Sequence, residues 1–238
     1  MRDLYWSGGY NIRDLGGLPT TDGGRTVEGR IVRSATLDRL TGAGWAALLE
    51  HGVRTVVDLR DEGESEDPAA PRPETVAVVN VPIDTIAGKD WYKSVWHLDG
   101  TPRIFERYLA DRPESVAAMV KAVAAAEPGA IVVHCAGGRD RTGLSSLVLL
   151  ALADTEPDAI AQDYVLTYER QRAAYAALGM TRYLQDLDLI DRILAEAGVT
   201  AHEAALAVLD GFDIRAVLLQ AGVTAAELDA VRARLRDQ

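Results

Sequence analysis

The only cysteine of the chain, Cys135, stands six positions before Arg141 in the segment HCAGGRDRTG at 134–143. A thiolate is a strong nucleophile, and a planar guanidinium can hold two oxygens of a tetrahedral phosphate at once. Gly137 and Gly138 allow a tight backbone loop whose successive N–H groups can bind an anion. These residue types at this spacing are the parts needed for phosphoryl transfer through a phosphocysteine, which depends mainly on positioning and charge stabilisation.

The segments on either side of this loop predict how it is positioned. AIVVHC predicts a short buried strand, and TGLSSLVLLALAD is an apolar segment too long for a strand, which indicates a buried helix. The cysteine would then lie at a helix N-terminus, where unpaired N–H groups and the macrodipole favour an anion. Cysteines in such places beside arginine ionise readily. A lone cysteine at the end of a strand is more often an inert, small hydrophobic residue. The whole segment HCAGGRDRTG, with a strand before it and a helix after it, reverses that expectation.

The rest of the chain predicts the scaffold. IVRSA, VRTVVDLR and TVAVVNVPI are further strand candidates, and LTGAGWAALLEHG is a predicted helix that begins after Thr41 and ends at Gly52. Strands that alternate with helices indicate an α/β fold with a mostly parallel sheet flanked by helices. After about residue 155 only helices are predicted. We therefore expect one domain over 1–238, with an α/β core at 1–154 and an all-helical C-terminal cap or lid at 155–238.

Composition narrows the classes of function. At 238 residues and 48% hydrophobic content the chain can build a real core, and a single cysteine excludes an intrachain disulfide. A net charge of −11 argues against a nucleic-acid partner, because phosphate backbones attract clustered Lys and Arg. No segment reaches the roughly 18 apolar residues of a membrane span, and the N-terminus has no secretory signal pattern. We expect a cytoplasmic protein, with secretion without a signal left open.

The loop also resembles the H-C-x-x-G-K-D-R-T-G signature of the bacterial tyrosine phosphatases that also accept phosphoserine and phosphoinositides. NIRDLGG at 11, GRIVRSATLDRLTGAG at 29 and GVRTVVDLRDEGE at 52 are similar to the opening segments of that family. The resemblance implies a tyrosine-phosphatase-type α/β fold, a cysteine nucleophile, no metal and no cofactor. Arg139 stands where that family usually has lysine, so a rigid fork replaces a flexible point charge.

Chemistry and resemblance together assign the first roles. Cys135 is the expected nucleophile and Arg141 the expected phosphate clamp. His134 would support the cysteine through hydrogen bonds, with an ordinary buried histidine as the alternative. Asp58 and Arg60, at another predicted strand end, form a candidate ion pair that supports the loop, with a catalytic role as the alternative. The predicted substrate-binding residues lie in the loop itself: Ala136, Gly137, Gly138, Arg139 and Thr142, the last of which could instead cap the helix.

Two aspartates compete for the role of the general acid that protonates the leaving group. Asp84, in VPIDTI, follows a predicted strand end, where parallel sheets collect functional loops. Asp140 lies inside the loop, directly before Arg141. We favour Asp84 slightly as the acid and expect Asp140 to shape the loop or the attacking water.

The leading functional hypothesis is therefore a cysteine-dependent, dual-specificity tyrosine phosphatase whose substrate is a phosphorylated protein or a small aryl phosphate, with phosphate ion in its site. A phosphoinositide phosphatase is the alternative, because Arg139 and Arg141 suit a multiply charged headgroup. Two readings outside this class are a rhodanese-like sulfurtransferase and a catalytically dead phosphate-binding module. The arginine at the sixth position and the DRTG ending argue against sulfur transfer.

Overall fold

The computed structural model describes residues 2–236 and contains one five-stranded sheet. Its order is β1-β2-β5-β3-β4; β1 pairs antiparallel with β2, and the other neighbours are parallel. The strands are β1 (Arg13–Asp14), β2 (Ile31–Ser34), β3 (Val53–Asp58), β4 (Ala77–Asn80) and β5 (Ala130–His134). The mostly parallel α/β fold predicted from the sequence is confirmed. The short β1, which carries no strand pattern of its own, was not predicted.

Eleven α-helices and one short 3₁₀ turn, Trp96–Leu98, surround or extend this sheet within residues 2–236. The helices are α1 (Gly42–Glu50), α2 (Ile83–Ala87), α3 (Lys89–Val95), α4 (Arg103–Asp111), α5 (Pro113–Ala125), α6 (Asp140–Leu152), α7 (Pro157–Ala177), α8 (Thr181–Glu196), α9 (Ala201–Gly211), α10 (Ile214–Gln220) and α11 (Ala225–Arg236). None of the helices in this described part is long and apolar enough to cross a membrane.

Alternating side chains of the central strands build a core on each face of the sheet. Val132 of β5 packs with Trp45 and Leu48 of α1, whereas its neighbour Val133 packs in the larger cluster that contains α5 and α6. All five residues of β5 are buried, and all four of the edge strand β4 are exposed. Because β5 lies between two parallel neighbours, its carboxyl end opens at the centre of the sheet edge, where α/β folds place ligands.

The C-terminal helices pack in two places. Leu218, Leu228 and Leu235 of α10 and α11 belong to the same buried cluster as α5 and α6. A separate small cluster joins α7, α8 and α9. Apart from an isolated bridge of Thr155 with Thr20, the described residues after 154 contain no strand, as predicted. The division into a core and a cap at residue 154 stays a prediction.

Two similar segments, LAEAGVTAHE at 194–203 and LLQAGVTAAE at 218–227, contain the starts of α9 and α11 and give them the same local structure. The Thr200 hydroxyl accepts from the Glu203 amide at 3.1 Å, and the Glu203 carboxylate accepts from the Thr200 amide at 2.8 Å. Thr224 and Glu227 repeat this reciprocal pair at 3.2 and 2.7 Å. Such capping boxes satisfy N–H groups that the first helical turn leaves unpaired. These segments therefore encode two helix starts by local chemistry.

Candidate active site

The loop at 135–139 connects the central strand β5 to α6, and the only cysteine is its first residue, directly after β5. Cys135 is 3% exposed, and the backbone amide of Gly138 donates to its Sγ at 3.3 Å. Gly138 has φ of +70°, and a Cβ there would lie 2.6 Å from the carbonyl oxygen of Ser34. Both the backbone conformation and the lack of space require glycine at this position.

Side chains from three distant elements bind the carbonyls of this loop. Asn11 and Arg33 donate to the carbonyl oxygen of Gly138 at 3.0 and 2.7 Å, and Gln171 donates to that of Gly137 at 2.7 Å. The N–H and C=O groups of a trans peptide point in opposite directions. Peptides whose carbonyls are bound on the outside of the loop therefore turn their N–H groups toward its interior, which is the arrangement that an anion needs.

A buried ion network lies behind the loop and fixes Arg33. Asp163 accepts from Arg13 Nε and Arg33 Nη1, both at 2.9 Å, and both arginines are 1% exposed. Thr167 accepts a further hydrogen bond at 2.9 Å from each arginine. Burial opposes ionisation of Asp163, but the charges of Arg13 and Arg33 outweigh it and hold the pKa of Asp163 well below its usual range. This network was not predicted from the sequence.

Arg141 lies in the first turn of α6, and a carboxylate from another segment already occupies its guanidinium. Glu64 accepts from Nη1 and, at 2.8 Å, from Nη2. The Nε atom of Arg141 lies 3.6 Å from Oδ2 of Asp84. Burial disfavours the charge, but the Glu64 hydrogen bond and the negative neighbours raise the pKa of Arg141 well above its usual value. The guanidinium is therefore a permanent cation beside the thiol.

The structure brings Asp84 to this arginine from the first turn of α2. Tyr108 of α4 donates a hydrogen bond to its Oδ1 atom. Burial raises the pKa of Asp84, and the nearby charge of Arg141 and the Tyr108 hydrogen bond offset part of that shift. A carboxyl with a raised pKa that lies beside a buried arginine has the chemistry of a candidate general acid.

The second candidate acid, Asp140, begins α6 and pairs with the neighbouring arginine. Arg139 Nη2 lies 3.3 Å from Asp140 Oδ2, and Nη1 lies 3.5 Å from Oε1 of Gln171. The Arg139 side chain is 15% exposed. Asp99, in the turn before α4, was not singled out from the sequence; burial, together with the negative charge of Asp140, raises the pKa of Asp99 to about 7. No motif marks that residue.

The supporting residues predicted from the sequence also meet here. His134 Nδ1 lies 3.1 Å from the carbonyl oxygen of Cys135, and its Nε2 lies 3.7 Å from Oδ2 of Asp58. Asp58 accepts from Arg60 at 2.8 Å, so these residues form a chain toward the loop. Burial lowers the pKa of His134, although the charge of Asp58 opposes that shift, and the neutral imidazole is favoured.

The remaining loop residues divide between backbone and side-chain contacts. The carbonyl oxygen of Ala136 accepts from the amide of Thr36 at 2.9 Å, which ties the loop to the end of β2. Thr142 Oγ1 is buried and has no hydrogen-bond partner in the described residues, and no side chain caps α6. An unpaired buried hydroxyl this close to the loop is available to a bound anion or to the thiolate.

A small cavity of about 60 Å³ opens beside the loop. Ala136 and Gly137 form one wall, and three tyrosines contribute another, with ring centroids 5.9 Å apart for Tyr10 and Tyr175 and 5.3 Å apart for Tyr175 and Tyr183. Larger hollows of about 790 and 700 Å³ lie elsewhere and do not reach the loop. Residues 2–236 contain no group of three or more His, Cys, Asp or Glu side chains arranged to hold a metal ion.

Comparisons with known proteins agree with this geometry. A sequence profile described as the tyrosine phosphatase family matches residues 4–237. A tyrosine-protein phosphatase of Nostoc commune is 29% identical over 140 residues, which cover 57% of this chain and 47% of the relative. The triple specificity protein phosphatase PtpB of Mycobacterium tuberculosis is 26% identical over 189 residues, 66% of each chain. The matches thus span between about half and two thirds of these relatives.

Proposed function

The chain belongs to the tyrosine phosphatase family, and on that premise we propose that it is a cysteine-dependent phosphomonoester hydrolase. Its substrate class is a phosphorylated protein or small aryl phosphate, with phosphotyrosine first and phosphoserine as a second specificity. The observation that carries the proposal is the loop at 135–139, whose carbonyls are bound on the outside. A buried thiol begins this loop, and Arg141, with which it interacts electrostatically, lies in the first turn of α6.

The proposed reaction has two steps. Sγ of Cys135 attacks phosphorus while the bond to the leaving oxygen breaks, and the carboxyl of Asp84 gives that oxygen its proton. Water then attacks the phosphocysteine, the Asp84 carboxylate takes the proton of that water, and inorganic phosphate leaves with the thiolate restored. Arg141 and the loop N–H groups hold the phosphoryl oxygens throughout. Glu64 must release Arg141 before its guanidinium can clamp the phosphate.

Asp84 is the proposed acid and Asp140 a positioning residue. The support for this order is the hydrogen bond from Tyr108 and the 3.6 Å approach of Asp84 to the clamp, whereas Asp140 is paired with Arg139. His134, Asp58 and Arg60 are proposed to orient the loop. Ala136, Gly137, Gly138 and Thr142 are proposed to bind the phosphoryl group. Arg139 is also retained as a loop residue that contributes positive charge.

The alternatives receive less support. A phosphoinositide phosphatase would need Arg139 free to bind a second phosphate. The Arg139 guanidinium instead contacts Asp140 and Gln171. A sulfurtransferase would not require a carboxyl such as Asp84 beside Arg141. A dead binding module would not need a buried acid beside the clamp. We also propose a cytoplasmic location, which a single thiol that must stay reduced favours.

Hydrolysis of para-nitrophenyl phosphate, without added metal and with reductant, tests the function. The wild type is expected to release phosphate, and Cys135→Ser is expected to lose turnover while still binding inorganic phosphate in calorimetry. Acid quenching with a radiolabelled substrate should trap label on the wild type alone. Turnover retained in Cys135→Ser would remove the cysteine as nucleophile. Thiosulfate turnover with cyanide, or phosphate binding without any hydrolysis, would support the sulfurtransferase or the binding module instead.

A further inference from the structure

Two arginines, Arg39 and Arg141, are paired with carboxylates of one exposed segment beside the small cavity. We call residues 61–67 the acidic strap. Glu64 of the strap binds Arg141, and Glu66 binds Arg39, with Oε2 to Nε at 3.2 Å and Oε1 to Nη2 at 3.3 Å. Arg39, Glu64 and Glu66 all line the cavity. The strap therefore presents two carboxylates, two residues apart, at one opening, and each of them is paired with an arginine.

Hydrogen bonds hold the backbone of the strap and of the residue Ala69 that follows it. The Glu66 amide donates to Oδ2 of Asp38 at 2.9 Å, and the Ala69 amide donates to the Asp38 carbonyl at 2.7 Å. The Asp61 amide donates to the Glu64 carboxylate at 2.6 Å. Residues 62–69 are nevertheless exposed to solvent. The Glu66–Arg39 pair is thus a surface contact, of the kind that contributes little stability and that a competing anion can displace. The Glu64–Arg141 pair is more buried, because the Arg141 side chain is 13% exposed.

The two pairs have the same chemistry. Arg141 is the proposed phosphate clamp, so Glu64 occupies the place of a substrate anion. Glu66 engages Arg39 through both carboxylate oxygens in the same way, and paired N–H donors of arginine bind carboxylate and phosphate alike. The Arg39 side chain is 33% exposed, and its Nη1 lies 3.6 Å from the sulfur of Met180. A guanidinium held at the cavity by packing, with an exchangeable carboxylate on it, is a built anion-binding position.

We propose that Arg39 determines specificity by binding a second anionic group of the substrate, which is a phosphopeptide with an acidic residue two positions from the phosphorylated side chain. This inference rests on the proposed function. The argument for a peptide is the strap itself, because it shows that side chains two apart on one polypeptide reach both arginines together. The tyrosines that line the same cavity suit an aromatic phosphate ester.

The test compares two phosphotyrosine peptides that differ only by glutamate or glutamine two positions from the phosphotyrosine. The readout is the ratio of their kcat/KM values within each enzyme, which cancels any general loss of activity. The wild type is expected to prefer the glutamate peptide about fivefold, mostly through KM, as befits one partly exposed ion pair. Arg39→Gln should bring the ratio near one, and Glu66→Gln should raise it because the competing carboxylate is gone.

The matched control is Arg215→Gln, which breaks a pair with Asp229 on the far helices and should keep the wild-type ratio. A binding arm uses Cys135→Ser protein and fluorescence anisotropy with the same peptides, so it does not need turnover. Failure of para-nitrophenyl phosphate hydrolysis would remove the proposed function while this arm still tests Arg39. Equal binding of both peptides, a preference that survives Arg39→Gln, or stronger Arg39-dependent binding of an inositol bisphosphate would overturn the inference.

Discussion

Oδ2 of Asp84 lies 3.6 Å from Nε of Arg141, so a candidate proton donor and the candidate phosphate clamp are in direct electrostatic contact. Asp84→Asn should lower kcat for para-nitrophenyl phosphate by about 10²- to 10³-fold, the usual scale of general acid catalysis. The loss should shrink for esters whose leaving group needs no proton. Phosphate affinity measured by calorimetry should stay near the wild-type value.

The matched variant for that experiment is Asp140→Asn, which removes the other carboxyl near the loop. Asp140 is paired with Arg139 at 3.3 Å, and its loss should cost less turnover and should not depend on the leaving group. A larger, leaving-group-dependent loss in Asp140→Asn would exchange the two roles.

Tyr108 tunes the proposed acid. Its hydrogen bond stabilises the Asp84 carboxylate and so lowers the pKa of Asp84 against the larger upward shift from burial. Tyr108→Phe removes the bond, so the pKa of Asp84 should rise and its protonated form should persist to higher pH. The falling, alkaline limb of the kcat profile should move upward in pH. Movement downward, or none at all, would show that this limb does not report Asp84.

Gly138 should not tolerate a side chain, whereas Gly137 should. Gly138 has φ of +70°, and an added Cβ would meet the backbone of Ser34 and Ala35 at 2.6 and 2.7 Å. The nearest atom to a Cβ at Gly137 is Nε2 of the Gln171 side chain, at 2.9 Å, which can move. Gly138→Ala is expected to lose phosphate binding and activity, and Gly137→Ala to keep most of both. Equal effects would contradict the strained position of Gly138.

Asp163 is the only carboxylate in the described residues that pairs with both Arg13 and Arg33. Asp163→Asn leaves two buried cations without compensation and should lower the free energy of unfolding by about 3–5 kcal/mol. The control Asp229→Asn breaks the exposed pair with Arg215 and should change it by less than about 1 kcal/mol. Urea denaturation followed by circular dichroism measures both, and similar values would argue against the network.

Asp163 also makes the free energy of unfolding depend on pH, in a direction that its pKa shift determines. The folded pKa of Asp163 is depressed, so its contribution is complete above the unfolded pKa of about 3.9 and is lost as pH falls toward the folded value. Wild type should therefore lose more stability than Asp163→Asn between pH 5 and the acid range. Parallel curves for the two proteins would contradict this linkage.

Much of the candidate site could be predicted from the single segment around HCAGGRDRTG, because its strand, loop and helix are neighbours in sequence and their chemistry is local. Thr41 and Gly52 mark α1 for the same reason. The contacts of Glu64 and Asp163 could not be predicted, because they depend on the topology of the sheet. Asp163 meets Arg13 across 150 residues. The spacing of apolar residues in α10 and α11 indicates that one face of each helix is buried. That spacing does not say which surface of the protein each face covers.

Because of the position of β5, we expect activity to be lost only when the protein unfolds cooperatively. This strand has a parallel partner on each side and is buried along its whole length, and Cys135 follows it directly. Amides in such a strand exchange with solvent only when the sheet itself opens. Cys135, the proposed nucleophile, should therefore keep its position until the sheet itself opens. Loss of activity in denaturant should coincide with loss of the whole fold. An activity assay should therefore report the fraction of molecules that are folded.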